Sequence, residues 1–168
     1  MRLLVEDGML LHVGESVEDI FLSIQSIHTM GAQQVRVMTY VPPKINGICR
    51  QKKHHLDEEI VIAILRYIFP DRLIPASLDV EGIAGLTSRL MAGANVISSI
   101  VPPRSGLNGV SQTTLDIEDG KRSVENVKRV LKELGLRAAK QDFYKAWLYN
   151  TRTVGMHELK IRKAEWLM

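Results

Sequence analysis

Apolar positions in this chain change rhythm repeatedly, from a period of two to a spacing of three and four and back, which is the signature of strands alternating with helices. Residues 3–13 are apolar at both ends and predict a strand. Residues 16–31 predict a helix, with Val17, Ile20, Phe21, Ile24, Ile27 and His28 forming one buried stripe. Ser16 with Asp19 resembles a capping box, in which side chain and backbone satisfy each other at the helix start. Residues 34–41 predict a second strand, closed by Pro42 and Pro43. A second helix begins near Asp57, where Asp57, Glu58 and Glu59 suit the positive end of the helix dipole. Its body, IVIAILRYIF, is apolar nearly all round and predicts packing on several sides until Pro70 stops it.

Residues 70–103, PDRLIPASLDVEGIAGLTSRLMAGANVISSIVPP, carry the next two strands. From Leu73 the faces alternate, so Leu73, Pro75, Ser77 and Asp79 point one way while Ile74, Ala76 and Leu78 point the other. Ser77 and Asp79 therefore sit side by side at a strand's end. A helix follows with Ile83, Leu86, Leu90 and Met91 on one flank, stopping at Gly93, and residues 95–101 form the fourth strand. A helix over 123–134 presents Val124, Val127, Val130, Leu131 and Leu134 and ends at Gly135; a short last one, 141–150, carries Phe143, Ala146 and Trp147. Four strand-helix units imply right-handed parallel crossovers. An open doubly wound sheet and an eight-fold barrel both satisfy that pattern.

Composition narrows the class. At 168 residues and 45% hydrophobic content, the chain suffices for one domain with a real core. It has no uninterrupted apolar run of about eighteen residues and no basic start followed by a long apolar segment, so no membrane is expected and a cytoplasmic location follows. Cys49 is the one cysteine, which excludes an internal disulfide and any cage of several thiolates within this sequence. A net charge of +3, scattered among nearly as many acids, argues against nucleic acid. Residues 44–55, KINGICRQKKHH, form one basic cluster that suits phosphate or carboxylate groups, although a solvated loop is the commoner meaning of such a run.

Reactive groups on parallel β/α units gather at the carboxyl ends of strands. Arg36, Ser77 and Asp79 have that address. If Arg36 and Met38 face inward, Val35 and Val37 face the helices, as their apolar character suggests. An inward arginine needs an anion, because an unpaired buried guanidinium costs several kcal/mol, roughly, in desolvation. Asp79 or a ligand is expected to supply it. Structural roles are open for all three: Asp79 as the cap of a helix near Glu81, Ser77 as a packing residue, and Arg36 with Asp79 as a bridge. Asn95 and Ser98 are weaker candidates for polar contact.

The phrase RLIPASLD followed by RLMAGANVISSIVPP, with DGMLLHVGES, VRVMTYVP and LRYIFP in the same order, resembles the methylornithine synthases, radical S-adenosylmethionine enzymes of pyrrolysine biosynthesis, and more distantly the biotin synthases. Similarity runs from about Glu6 to Ala146. It implies a partial TIM-type (β/α) barrel: four parallel units matching the second half, plus the short C-terminal helix, in a domain of residues 1–150. Residues 151–168 resemble nothing in the family and form a tail, for which disorder is one reading. The resemblance gives Arg36, Ser77 and Asp79 the substrate, the arginine forking onto a carboxylate while serine and aspartate hold polar groups including the ammonium. DGMLLHVGES resembles the Gly-x-Ile-x-Gly-x-x-Glu segment beside the adenine in these barrels, which makes Gly8, Leu10 and Glu15 cofactor-binding. His12 stands where the second glycine is expected, and crowds a place where backbone should approach a ligand closely.

The intact family uses S-adenosylmethionine and a 4Fe-4S cluster held by Cys-x-x-x-Cys-x-x-Cys, with one iron left open to the cofactor. This sequence begins near the family's fifth strand and lacks the motif, so it is expected to ligate neither group alone, to hold no catalytic or metal residue, and to form no 5'-deoxyadenosyl radical unaided. The implied small molecule is L-lysine or 3-methylornithine. A half barrel would leave strand edges and apolar surface open, which calls for an N-terminal half carrying the cluster or for self-association. The implied function is the substrate-binding half of a mutase that turns L-lysine into 3-methylornithine. A non-catalytic truncated remnant or a small-molecule binding module is the alternative, and part of a biotin synthase-like enzyme fits less well because the ligands of its second cluster are absent.

Overall fold

Alternate strand residues such as Val35, Val37, Ile74, Ala76 and Leu78 are buried because one face of the strands lies against helices, and that alternation organises the described residues. A computed structural model describes residues 4–41, 56–101 and 121–154. The elements are β1 (Glu6–Leu11), α1 (Val17–Met30), β2 (Gln34–Thr39), α2 (Glu58–Ile68), β3 (Pro75–Ser77), α3 (Leu86–Met91), β4 (Val96–Ser98), α4 (Val124–Glu133) and α5 (Gln141–Val154). The basic cluster, Cys49 and residues 155–168 lie outside the described residues.

β1 pairs with β2 and β3 with β4, both parallel. The two pairs are stitched where Leu73 lies beside Gln34: the Val35 N–H donates to the Leu73 carbonyl at 2.8 Å, and the Leu73 N–H to the Gln33 carbonyl at 3.0 Å. The strands thus neighbour one another in chain order. The register sets Gly8 opposite Arg36, Leu10 opposite Met38, and Ser77 opposite Ser98. With Gln34 beside Leu73, the two-residue period puts Gly8, Leu10, Arg36, Met38, Ser77 and Ser98 on one face. The opposite face is apolar and sealed, with Leu11, Val35, Val37, Ile74, Ala76 and Leu78 at most 1% exposed. They share a core with Ile20, Ile24 and Ile27 of α1, with Val61, Ile62 and Leu65 of α2, and with Leu86 and Val127.

Several expected features stand. Val35 and Val37 face the helices, and Ser16 caps α1 reciprocally: its Oγ accepts from the Asp19 N–H at 3.1 Å while Asp19 accepts from the Ser16 N–H at 2.8 Å. Gly93, at φ 114°, closes the turn after α3, where a Cβ would press on the Arg66 side chain at 2.8 Å.

Others differ for physical reasons. Val17 and Phe21 are exposed, because the arc through Ile20, Ile24 and Ile27 alone meets the sheet and Phe21 lies about 100° further round the helix. Likewise α2 is amphipathic, with Ile60, Tyr67 and Ile68 facing outward. Helix α3 is short and leaves Met91 exposed, since the chain between Asp79 and Gly85 forms turns. Strands β3 and β4 are three residues each, shorter than expected; a positive φ of 63° at Ser99 follows β4 directly. α5 runs to Val154, past Asn150, with Phe143 exposed and the Trp147 Nε1–H donating to the Asp71 carbonyl at 2.9 Å.

Glu58 does more than complement a helix dipole. It is buried, accepts from Arg89 Nε at 2.7 Å and from Thr39 Oγ1 at 2.8 Å, and so ties α2 to α3 and to the end of β2. Glu81 lies 3.1 Å from the same guanidinium. Removing one partner of such a buried pair strands the other charge, whereas removing both does not. Arg89→Met is expected to destabilise the fold by about 3 kcal/mol in urea denaturation, and Arg89→Met combined with Glu58→Gln to recover most of that loss.

Candidate functional site

Three chain segments converge beyond the ends of β3 and β4. The first leaves β3 at Ser77 and places Asp79 two residues on, anchored by the Leu78 N–H donating to the Ser98 carbonyl at 3.3 Å. The second leaves β4 through Ser99. The third is the turn before α4, where Ser123 caps the helix by accepting from the Asn126 N–H at 3.3 Å and the Arg122 carbonyl accepts from the Val101 N–H at 3.0 Å.

Asp79 is the centre of this cluster. Its Oδ2 accepts from the hydroxyls of Ser77 and Ser99, each at 2.7 Å, and its Oδ1 accepts from Arg122 Nη1 at 3.1 Å. The two hydroxyl oxygens are 3.3 Å apart. Arg122 is buried while Asp79 stays about one-third exposed, so the carboxylate is the part of the pair that meets solvent. Partial burial pushes the Asp79 carboxyl up, but the hydroxyl donors together with the charge and hydrogen bond of Arg122 outweigh it and hold the group below an ordinary aspartate, 3.8. An ionised carboxylate with acceptor capacity left is a site for a cation or a hydrogen-bond donor.

Arg36 shares the face of Ser77 but not its contacts. Its Nε donates to Glu6 Oε1 at 2.5 Å across the β1–β2 pair. The anion demanded by an inward arginine is thus Glu6, and no bridge to Asp79 forms. Burial raises the Glu6 carboxyl, yet hydrogen bonds from Arg36 and Gln34 and the Arg36 charge carry it below its usual value. Asp79 is not a helix cap either, because α3 starts only at Leu86.

The expected cofactor segment is shaped by its own backbone. Gly8 lies against its register partner, where an added Cβ would come within 2.5 Å of the Arg36 carbonyl oxygen. Leu10 is exposed on the shared face. Glu15 accepts from the N–H groups of His12, Val13 and Gly14 at 2.8, 2.9 and 3.0 Å, and these bonds outweigh burial to keep its carboxyl below the usual range. His12 has φ 69°, a left-handed conformation suited to glycine. Asn95 is occupied structurally: its Oδ1 accepts from the Ile74 N–H at 2.8 Å and its Nδ2 donates to the Arg72 carbonyl at 3.2 Å. The Ser98 hydroxyl is buried without a hydrogen-bond partner among the described residues.

Sequence reasoning missed Ser99 and Arg122. Their one signal is position, next to a strand end and just before a helix cap, on loops that parallel β/α units bring to a common rim. Among the described residues no three His, Cys, Asp or Glu side chains gather as a metal site, and no helix is long and apolar enough to cross a membrane.

A carboxylate, two hydroxyls and a guanidinium collected beyond the ends of consecutive parallel strands define an α/β protein with a polar cluster, a candidate site, at its strand ends. No protein-family model matches the chain. It is 43% identical over 147 residues to the 3-methylornithine synthase of Methanosarcina barkeri, covering 86% of this chain and 41% of that protein. It is 42% identical over 138 residues to the 3-methylornithine synthase of Methanosarcina acetivorans, covering 82% and 39%. A crystal structure of methylornithine synthase superposes with a TM-score of 0.78 at 42% identity, over 86% of this chain and 43% of that one. The chain belongs to the methylornithine synthase family, and it spans about two fifths of the length of the curated relatives it matches.

Two outcomes follow from the site's geometry. A non-glycine residue in the left-handed region is strained by about 1 kcal/mol, so His12→Gly is expected to raise chemical stability by up to that amount; a large loss would show that the imidazole is needed. Because the Asp79 carboxyl is depressed in the folded state, its contribution is present above the unfolded aspartate's value and lost as pH falls through the folded one. Asp79→Asn is expected to flatten the acid limb of a stability-against-pH curve below about pH 4 and to leave its neutral slope unchanged.

Proposed function

We propose that this chain is the substrate-gripping second half of a β/α barrel that, when complete, converts L-lysine to 3-methylornithine for pyrrolysine biosynthesis in the cytoplasm, with residues 1–150 forming the half barrel. The observation that carries this is the common face of Arg36, Ser77 and the Asp79 cluster, offering a cation for a carboxylate and an anion for an ammonium. Consecutive parallel strands in chain order support a barrel, since a doubly wound sheet requires the strand order to reverse. Arg36 would release Glu6 to fork onto the α-carboxylate, and Ser77 and Asp79 would take the amino group.

The family's cofactors fit this chain unequally. One cysteine cannot supply three thiolates, so the ligands of a 4Fe-4S cluster must come from outside these 168 residues. For S-adenosylmethionine the fit is one of shape: Gly8 keeps the strand pair close, Leu10 offers apolar surface on the shared face, and His12 retains a glycine-like backbone. Bound there, the cofactor would supply the radical that starts the rearrangement. The implied partner is an N-terminal half or, failing that, a second copy closing the ring. A non-catalytic binding module is the competing reading, favoured by Arg36 being already paired with Glu6.

Isothermal titration tests the grip, and reconstitution separates the two readings. L-lysine or 3-methylornithine is expected to bind, and Arg36→Ala to weaken binding roughly 10- to 100-fold, the value of a charge-assisted contact. Equal affinity for both proteins would remove Arg36 from the site. Mixing the chain with a cluster-bearing N-terminal half is expected to restore cofactor cleavage and lysine rearrangement, and failure with a competent half would favour the binding module.

A further inference from the structure

We propose that Arg122 and Ser99 are positioning residues that fix the Asp79 carboxylate so that one lone pair of Oδ1 is left for a ligand ammonium; the ammonium rests on the function proposed above, whereas the fixing of Asp79 does not.

Three observations converge. Arg122 is 5% exposed, a burial that a guanidinium sustains only beside an anion, and the anion it reaches is Asp79. Ser99 holds φ 63°, which a side chain tolerates only at a cost of about 1–2 kcal/mol, and in this conformation its hydroxyl reaches Asp79 at 2.7 Å. Both hydroxyl bonds fall on Oδ2 and the guanidinium bond falls on Oδ1. A carboxylate offers about four lone-pair directions, two per oxygen, so among the described residues Oδ2 is filled and Oδ1 keeps one.

Polarity then follows from proton counting. Ser77 and Ser99 each have one hydroxyl proton, and both protons point at Asp79. What they can still present to a ligand is lone pairs. Among the described residues the rim around Asp79 is therefore acceptor-only at its open side, welcoming an ammonium and repelling a carboxylate. Arg122 does not reverse this, because it is buried behind the aspartate. A ligand carrying both groups would have its carboxylate directed toward Arg36 on the same face. Among the described residues, the charge acting on Asp79 is that of Arg122, which makes Asp79 a sensitive reporter of whether the pair is real.

The test is a carbon-detected NMR titration of the full chain labelled at aspartate carboxyl carbons, with Asp79 assigned by Asp79→Asn. In Arg122→Met the Asp79 midpoint is expected to rise by about one pH unit, in Arg122→Lys to return most of the way, and in Ser99→Ala to rise by a smaller amount. Amide spectra of each variant report whether the fold is kept; should Arg122→Met unfold, Ser99→Ala and Arg122→Lys still decide the question. L-lysine affinity is expected to fall about tenfold in Arg122→Met and to recover partly in Arg122→Lys. An Asp79 midpoint unmoved by the folded variants would overturn the proposal. If the midpoint moves while the unmodified chain binds neither L-lysine nor 3-methylornithine, the positioning role stands and the amino-acid function falls.

Discussion

The polar groups carried by the strands are placed by the sealing of the apolar strand face. Val35, Val37, Ile74 and Ala76 are buried against α1, α2 and α3, and a strand whose alternate positions are buried has no choice about the residues between them. Arg36 and Ser77 are consequently turned to the same side, although β2 and β3 are separated in sequence by a full helix. A one-residue slip in β2 would bury a guanidinium and expose valines, and one in β3 would bury Ser77 and expose Ile74 and Ala76. The stitch between Leu73 and Gln34 holds the two parallel pairs in step, so the face continues from β1 to β4.

On that frame, the chain spends its buried charges in two places with different consequences. Glu58 and Arg89 are both sealed from solvent behind the sheet, where they join α2 to α3 and, through Thr39, to β2. Their role is architectural. Arg122 and Asp79 form the opposite case, with one partner sealed and the other open at the rim. A pair so arranged holds its carboxylate ionised while keeping it available, which is what a site for a cationic group requires. Arg36, held by the more exposed Glu6, has a partner that a competing carboxylate can displace.

What was legible from sequence is what neighbouring residues decide among themselves. The Ser16 cap of α1, the alternation of Val35 and Val37 with Arg36, and the glycine stop at Gly93 all depend on residues within a few positions of each other. Contacts made by distant residues were not legible. Arg122 meets Asp79 across 43 positions and Glu58 meets Arg89 across 31, and no local pattern pairs them. Spacing also overstated the buried stripe of α1, since periodicity gives an angle but not the width of the surface the helix faces, and Phe21 falls beyond that width. The family resemblance pointed to Ser77 and Asp79 as candidates, which the structure brings into contact; it gave no sign that a serine in a left-handed turn and a buried arginine bond to that aspartate.

The most direct measurement is a crystal structure of the chain grown with L-lysine. The α-carboxylate is expected on Arg36 with Glu6 displaced, the ammonium on Oδ1 of Asp79, and Arg122 unmoved behind it. Arg36 and Asp79 opening onto opposite sides of the strands, or the amino acid bound away from both, would contradict a shared face that reads the two ends of one ligand.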